Sequence, residues 1–109
     1  MATTYKVLGQ LSAAATTNET LYAVPSGSYA VVSTLNICNR STANITFRAA
    51  IRVANAAINN SHYIAYDTLV PSNDSIALTL GLTLANTDVV TVYAGSANLT
   101  FSLFGTEVS

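Results

Sequence analysis

The stretch Ser75-Ile-Ala-Leu-Thr-Leu-Gly-Leu-Thr-Leu84 decides the fold: Ile76, Leu78, Leu80, Leu82 and Leu84 stand at every second position, with small or hydroxylated residues between them. A two-residue period marks a β-strand with one buried face, because successive side chains leave a strand on opposite sides. Working outward, the same alternation governs Ala43–Val53, where Ile45, Phe47, Ala49, Ile51 and Val53 alternate with Asn44, Thr46, Arg48, Ala50 and Arg52. Further strands are predicted over Tyr5–Leu11, Glu19–Val24, Tyr29–Cys38, His62–Leu69, Val89–Ala94 and Leu99–Val108. The joints carry turn chemistry, as in Pro25-Ser-Gly-Ser, Asn39-Arg-Ser-Thr, Pro71-Ser-Asn-Asp, Asn86-Thr-Asp and Gly95-Ser-Ala-Asn. Ala13–Asn18 and Ala54–Ser61 read as loops, the second being the longest; its three Asn and short length leave no support for a free-standing helix.

Eight short strands in 109 residues predict an all-β fold, a single antiparallel β-sandwich or jelly roll. Residues 1–109 read as one domain, with Met1–Thr4 as a mobile arm. The alternating faces assign Ile45, Phe47, Ile51, Ile76, Leu78, Leu80, Leu82 and Phe101 to one core. Cys38, the lone cysteine, forms no intrachain disulfide and is expected to be a buried structural thiol.

Only 8% of the residues are charged, against roughly 25% in ordinary soluble proteins. Four basic side chains, Lys6, Arg40, Arg48 and Arg52, cannot neutralise the phosphates of a nucleic acid. No apolar run approaches the roughly 20 residues of a spanning helix, so neither nucleic acid nor membrane is an expected partner. Met1–Val7 shows no basic segment leading into an apolar one, which reads as synthesis in the cytoplasm without a secretion signal.

Catalytic chemistry finds little footing. His62 is the only histidine, and the nearest carboxylate partner in sequence, Asp67, lies five residues away. Zinc would require several Cys and His ligands, and Asn73-Asp74 is a turn sequence before it is a calcium site. No enzyme activity, cofactor or metal is therefore expected. Six Asn-x-Ser/Thr triplets begin at Asn18, Asn39, Asn44, Asn59, Asn73 and Asn98 and read as turn and hydroxyl-face chemistry.

Two groups remain as partner or interface candidates. Arg48 and Arg52, four apart on one strand, share a face roughly 13 Å apart and could dock against a partner's carboxylates. His62 is expected at a strand edge or interface. In His62-Tyr-Ile-Ala-Tyr-Asp, strict alternation places Tyr63 and Tyr66 on opposite faces, one toward the core; beside Asn59 and Asn60, an exposed tyrosine could stack on a sugar or enter a protein interface.

The blocks Lys6-Val-Leu-Gly-Gln, Leu21-Tyr-Ala-Val-Pro, Val32-Ser-Thr-Leu-Asn-Ile-Cys-Asn-Arg, Phe47-Arg-Ala-Ala-Ile-Arg, His62-Tyr-Ile-Ala-Tyr-Asp, Leu80-Gly-Leu-Thr-Leu, Asp88-Val-Val-Thr-Val-Tyr-Ala and Phe104-Gly-Thr-Glu run in that order along the chain. In this it resembles small virion structural proteins of tailed bacteriophages, including phages of cyanobacteria and other aquatic bacteria. The resemblance implies a non-enzymatic particle component located in the virion, with no catalytic motif. The expected partners are a second or third copy of the chain, giving a dimer or trimer, and other virion proteins, including the major capsid protein. A capsid cement or decoration protein is preferred to a tail fibre, baseplate or neck component. The alternative is a host-recognition module that binds glycan around Asn59, Asn60 and Tyr63.

Overall fold

A computed structural model describes residues 3–109, the side chain of Leu80 excepted. The strands are β1 (Thr3–Ser12), β2 (Asn18–Ala23), β3 (Tyr29–Asn39), β4 (Ile45–Arg52), β5 (Tyr63–Val70), β6 (Ser75–Leu84), β7 (Val89–Ala94) and β8 (Leu99–Val108). They form two four-stranded sheets, a first in the order β1-β8-β3-β6 and a second in the order β2-β7-β4-β5, with every pairing antiparallel. Of the connections between consecutive strands, only β4 to β5 stays within a sheet; every other one crosses to the opposite layer. That ordering is a jelly roll, the more specific of the two all-β architectures expected from the alternation.

The core lies between the sheets, as period-two patterning requires. Phe47 of β4 and Phe101 of β8 meet edge-to-face across it, with ring centres 6.1 Å apart. Leu35, Ile37, Val70, Val90, Val92, Leu99 and Leu103 are buried around them. Ile45 is buried too, whereas Ile51, Ile76, Leu78 and Leu82 are partly buried against the cluster. Three of these lie on β6, an edge strand with one neighbour, so its apolar face is covered less completely. The core expectation for Leu80 falls outside the described residues.

Two expectations are corrected. Thr3 and Thr4 are not an arm, because they pair with Val108 and Glu107 as the first residues of β1. Met1 and Ala2 lie outside the described residues. Cys38 is half-buried rather than buried: Ile37 and Asn39 take the inward positions of β3, leaving the thiol on the outer face beside Thr100 and Ser75.

Irregularities in the first sheet set its surface chemistry. A bulge at Leu8 separates the Val7–Phe104 and Gly9–Leu103 pairs, and another at Ser33 separates Val32–Gly105 from Thr34–Phe104. Each extra residue shifts the inward set by one position, so β3 buries Ala30 and Val32, then Leu35 and Ile37. A Cβ on Gly105 would fall 2.2 Å from the Val31 carbonyl oxygen, and one on Gly9 would fall 2.2 Å from that of Leu21. Glycine is demanded at both places by close backbone approach.

One end of the sandwich is closed by a polar chain. The Tyr22 hydroxyl of β2 donates to Glu107 Oε2 of β8, and Lys6 Nζ of β1 lies 3.2 Å from Glu107 Oε1, so the two sheets are tied together. Burial first, and then Glu107, push the Tyr22 phenol above its ordinary pKa. The Tyr22 hydrogen bond, opposed by desolvation and assisted by Lys6, holds Glu107 below the usual carboxylate range. The signs give two limbs. Tyr22 contributes stability that is complete below the ordinary phenol pKa of about 10 and declines above it. Glu107 contributes stability present above the ordinary carboxyl pKa of about 4.3 and lost as pH falls through its lower folded value. Melting temperature measured against pH should therefore drop at both extremes, and Tyr22→Phe should flatten the alkaline limb; an unchanged alkaline limb in that variant would contradict the role given to Tyr22.

Candidate functional site

The richest side-chain cluster sits on the outer face of the second sheet, where β5 departs from regular geometry. Phe47 pairs with Thr68 and Ala49 with Ala65, so Arg48 alone faces the two residues Tyr66 and Asp67. Asp67 has a φ of 50°, the left-handed conformation that Asp tolerates better than most residues. This bulge brings two consecutive side chains to one arginine. Arg48 Nε donates to Asp67 Oδ1 at 2.7 Å and a terminal nitrogen donates to Oδ2 at 3.4 Å. The same guanidinium carbon lies 4.2 Å from the ring centre of Tyr66 and 4.5 Å from that of Tyr93 on β7. The Asp67 hydrogen bond raises the Arg48 pKa above its ordinary value.

A second register shift follows at once, since Ala50 pairs with Tyr63 and leaves Ile64 unopposed. Its effect overturns the expectation that Tyr63 and Tyr66 point to opposite faces. Their rings meet at 4.9 Å and 87° on one side of the sheet, and neither enters the core. Tyr63 is half-buried and Tyr66 remains 55% exposed. Together with Asn60 they line an open cleft of about 350 Å³.

The connection from β4 to β5 folds back to shape this region, through two single 3₁₀ turns at Val53–Asn55 and Asn60–His62. Asp88 fixes its start, accepting the Ala54 N–H at 2.9 Å and the Ala85 N–H at 3.0 Å. Asn59 fixes its end: its Oδ1 accepts from the Ser61 N–H at 2.9 Å, while its own N–H donates to His62 Nδ1 at 3.2 Å. His62 thus serves as a cap beside the start of β5. Arg52 donates from a terminal nitrogen to Asn55 Oδ1. Among the described residues, Arg52 Nε and Thr91 Oγ1 are buried polar atoms without a hydrogen-bond partner.

The sequence candidates are therefore brought together unequally. Asn60 and Tyr63 share the cleft, and Asn59 and His62 hold the turn beside it. Arg48 does not stand ready for a partner's carboxylate, because Asp67 already occupies its fork. Tyr66, Asp67 and Tyr93 complete the cluster. A charged residue inside a strand pattern, Asp67, was the available sign of irregular pairing; Tyr93 had no such sign.

A different surface lies on the outer face of the first sheet. Directly opposed residues share a face, so the pairings Val7–Phe104, Tyr5–Thr106–Val31 and Val108–Tyr29 form three adjacent rows. Tyr5, Val7, Tyr29, Val31 and Phe104 are all exposed there, Tyr5 by 83%. Beyond the bulges the same face turns polar, with the rows Gln10–Ser102–Asn36 and Ser12–Thr100–Cys38. The face is divided into an apolar and a polar half.

Among the described residues no group of three His, Cys, Asp or Glu side chains gathers as a metal site, and no helix is long and apolar enough to cross a membrane. No protein-family model matches the chain, and no curated protein matches it.

Proposed function

We propose that this chain is a non-enzymatic structural component of a tailed-phage particle, an oligomeric module that docks on the virion as a capsid cement or decoration protein in preference to a tail or neck part. The assembly part of this reading is carried by the apolar half-face of Tyr5, Val7, Tyr29, Val31 and Phe104, set on a jelly roll with few charges, and the particle assignment rests on the resemblance of the sequence blocks. Contiguous exposed apolar surface of this kind marks an interaction site, and aromatic residues are enriched at interface centres. An apolar patch backed by a sandwich suits repeated contacts with copies of itself and with neighbouring capsid subunits.

The sheet edges support the same reading. β1, β2 and β5 carry Lys6, Glu19 and Asp67, whereas the ten-residue edge strand β6 carries no charge at all. Charge is a usual defence of an exposed edge, and its absence leaves β6 open to pairing with another chain. Binding only to the assembled shell would raise shell stability by mass action. Copy number on a stained gel of purified virions tests the assignment. Hundreds of copies per particle are expected; a few to a few dozen would move the chain to the tail or neck, and absence from the particle would overturn the proposal.

A further inference from the structure

We infer that the corner formed by Tyr63, Tyr66 and Asn60 is a binding site for a neutral pyranose sugar, independent of the apolar face on the opposite sheet. The cleft measures about 350 Å³, within the range of roughly 300–1,000 Å³ typical of small-ligand sites. Its two aromatic walls stand at 87°. The electron-rich face of a tyrosine attracts the slightly positive C–H groups that a pyranose presents on one side of its ring. Asn60 supplies both a donor and an acceptor amide group for the hydroxyls at the sugar's rim, and the two phenols add more.

Charge narrows the ligand class. The three lining residues are uncharged, and the nearby Arg48 is already neutralised by Asp67 at 2.7 Å. The cleft lining itself thus offers a phosphate or a sugar carboxylate no cation, and Arg52, further along β4, donates to Asn55, so neutral ligands are favoured over nucleotides and acidic sugars. Peptide addition to this edge is disfavoured as well, because the two register shifts in β5 break the regular ladder that a further strand needs.

The site is also held in place before any ligand arrives. Tyr66 is fixed by the Arg48 guanidinium at 4.2 Å and by Tyr63 at 4.9 Å, yet it keeps 55% of its surface exposed. Asn60 follows the Asn59 cap, which is hydrogen-bonded to Ser61 and His62. Fixing the groups in advance reduces the ordering cost of binding.

The test is an NMR titration of the full chain with methyl glucoside, methyl galactoside, methyl mannoside and N-acetylglucosamine, and with N-acetylneuraminic acid and glucose 6-phosphate as charged controls. Saturable shifts at Tyr63, Tyr66 and Asn60 are expected with at least one neutral sugar in the millimolar range, and none with the charged pair. Tyr66→Ala should weaken binding by about tenfold or more, as loss of a stacking ring does elsewhere, while Tyr66→Phe should retain it. An unchanged spectrum away from β5 shows that these exposed-ring variants remain folded. Absence of saturable shifts with every neutral sugar, shifts that survive Tyr66→Ala, or binding confined to the charged sugars would each overturn the inference.

Discussion

Phe47→Ala should lower the unfolding free energy by about 3–5 kcal/mol, the range for deleting a large buried aromatic ring. Phe47 is fully buried, faces Ala94 and Thr68 within its own sheet and meets Phe101 across the core. Its ring is one half of the contact that joins the two layers at their centre, so truncation leaves a cavity between sheets whose backbones are held by ladders on either side. Domains of this size have only about 5–15 kcal/mol of stability to lose. Urea denaturation should show a much lower midpoint with an unchanged slope. A midpoint equal to that of the parent chain would remove Phe47 from the core.

Asn39→Ala should cost about 2–5 kcal/mol, although it deletes only a small polar group at the end of β3. Asn39 is 1% exposed, and its amide nitrogen reaches the carbonyl oxygens of Ala43, Val70 and Pro71 at 2.8, 3.0 and 3.2 Å. Its Oδ1 accepts from both the backbone N–H and the hydroxyl of Ser41 at 2.9 Å. One side chain thus clamps the β3–β4 turn to the β5–β6 connection. Removing it strands several backbone groups, each worth about 1–3 kcal/mol when buried without a partner. Asn39→Asp should be no better, because it keeps the acceptor but replaces the donor with an oxygen facing carbonyls. Thermal unfolding of both variants checks this, and restoration of parental stability by Asp would contradict the clamp.

The fold was largely legible because alternation is a backbone property that survives changes of neighbour. Strands over Ser75–Leu84, Val89–Ala94 and Leu99–Val108 have the bounds expected from sequence, and the others differ by a few residues at their ends. What alternation cannot carry is a change of phase. The change of phase in β3 between Val32 and Leu35, made by the Ser33 bulge, was hidden because Val31 and Val32 are both apolar and either could begin the inward series. In β5 the mark was Asp67, a charge inside the strand pattern, but strict alternation assigned Tyr63 and Tyr66 to different faces although the bulges place them on one. Contacts between strands remote in sequence were also hidden. Arg48 with Asp67 and Tyr93, and Tyr22 with Glu107, depend on sheet order, which no local pattern specifies. Asn39 looked like an ordinary turn residue, since the same residue type both caps turns in water and satisfies buried carbonyls.

The solution mass of the purified chain tests the proposed assembly surface on the apolar half of the first sheet. Light scattering at micromolar concentration should give a mass near two or three times 11.4 kDa, with weak dependence on salt because the surface of Tyr5, Val7, Tyr29, Val31 and Phe104 carries no charge. Val31→Asp should reduce that mass to a single chain without loss of the folded spectrum, since Val31 is exposed and its side chain lies outside the core. A parent chain that stays monomeric across the whole concentration range, or a Val31→Asp variant that associates as the parent does, would contradict the account.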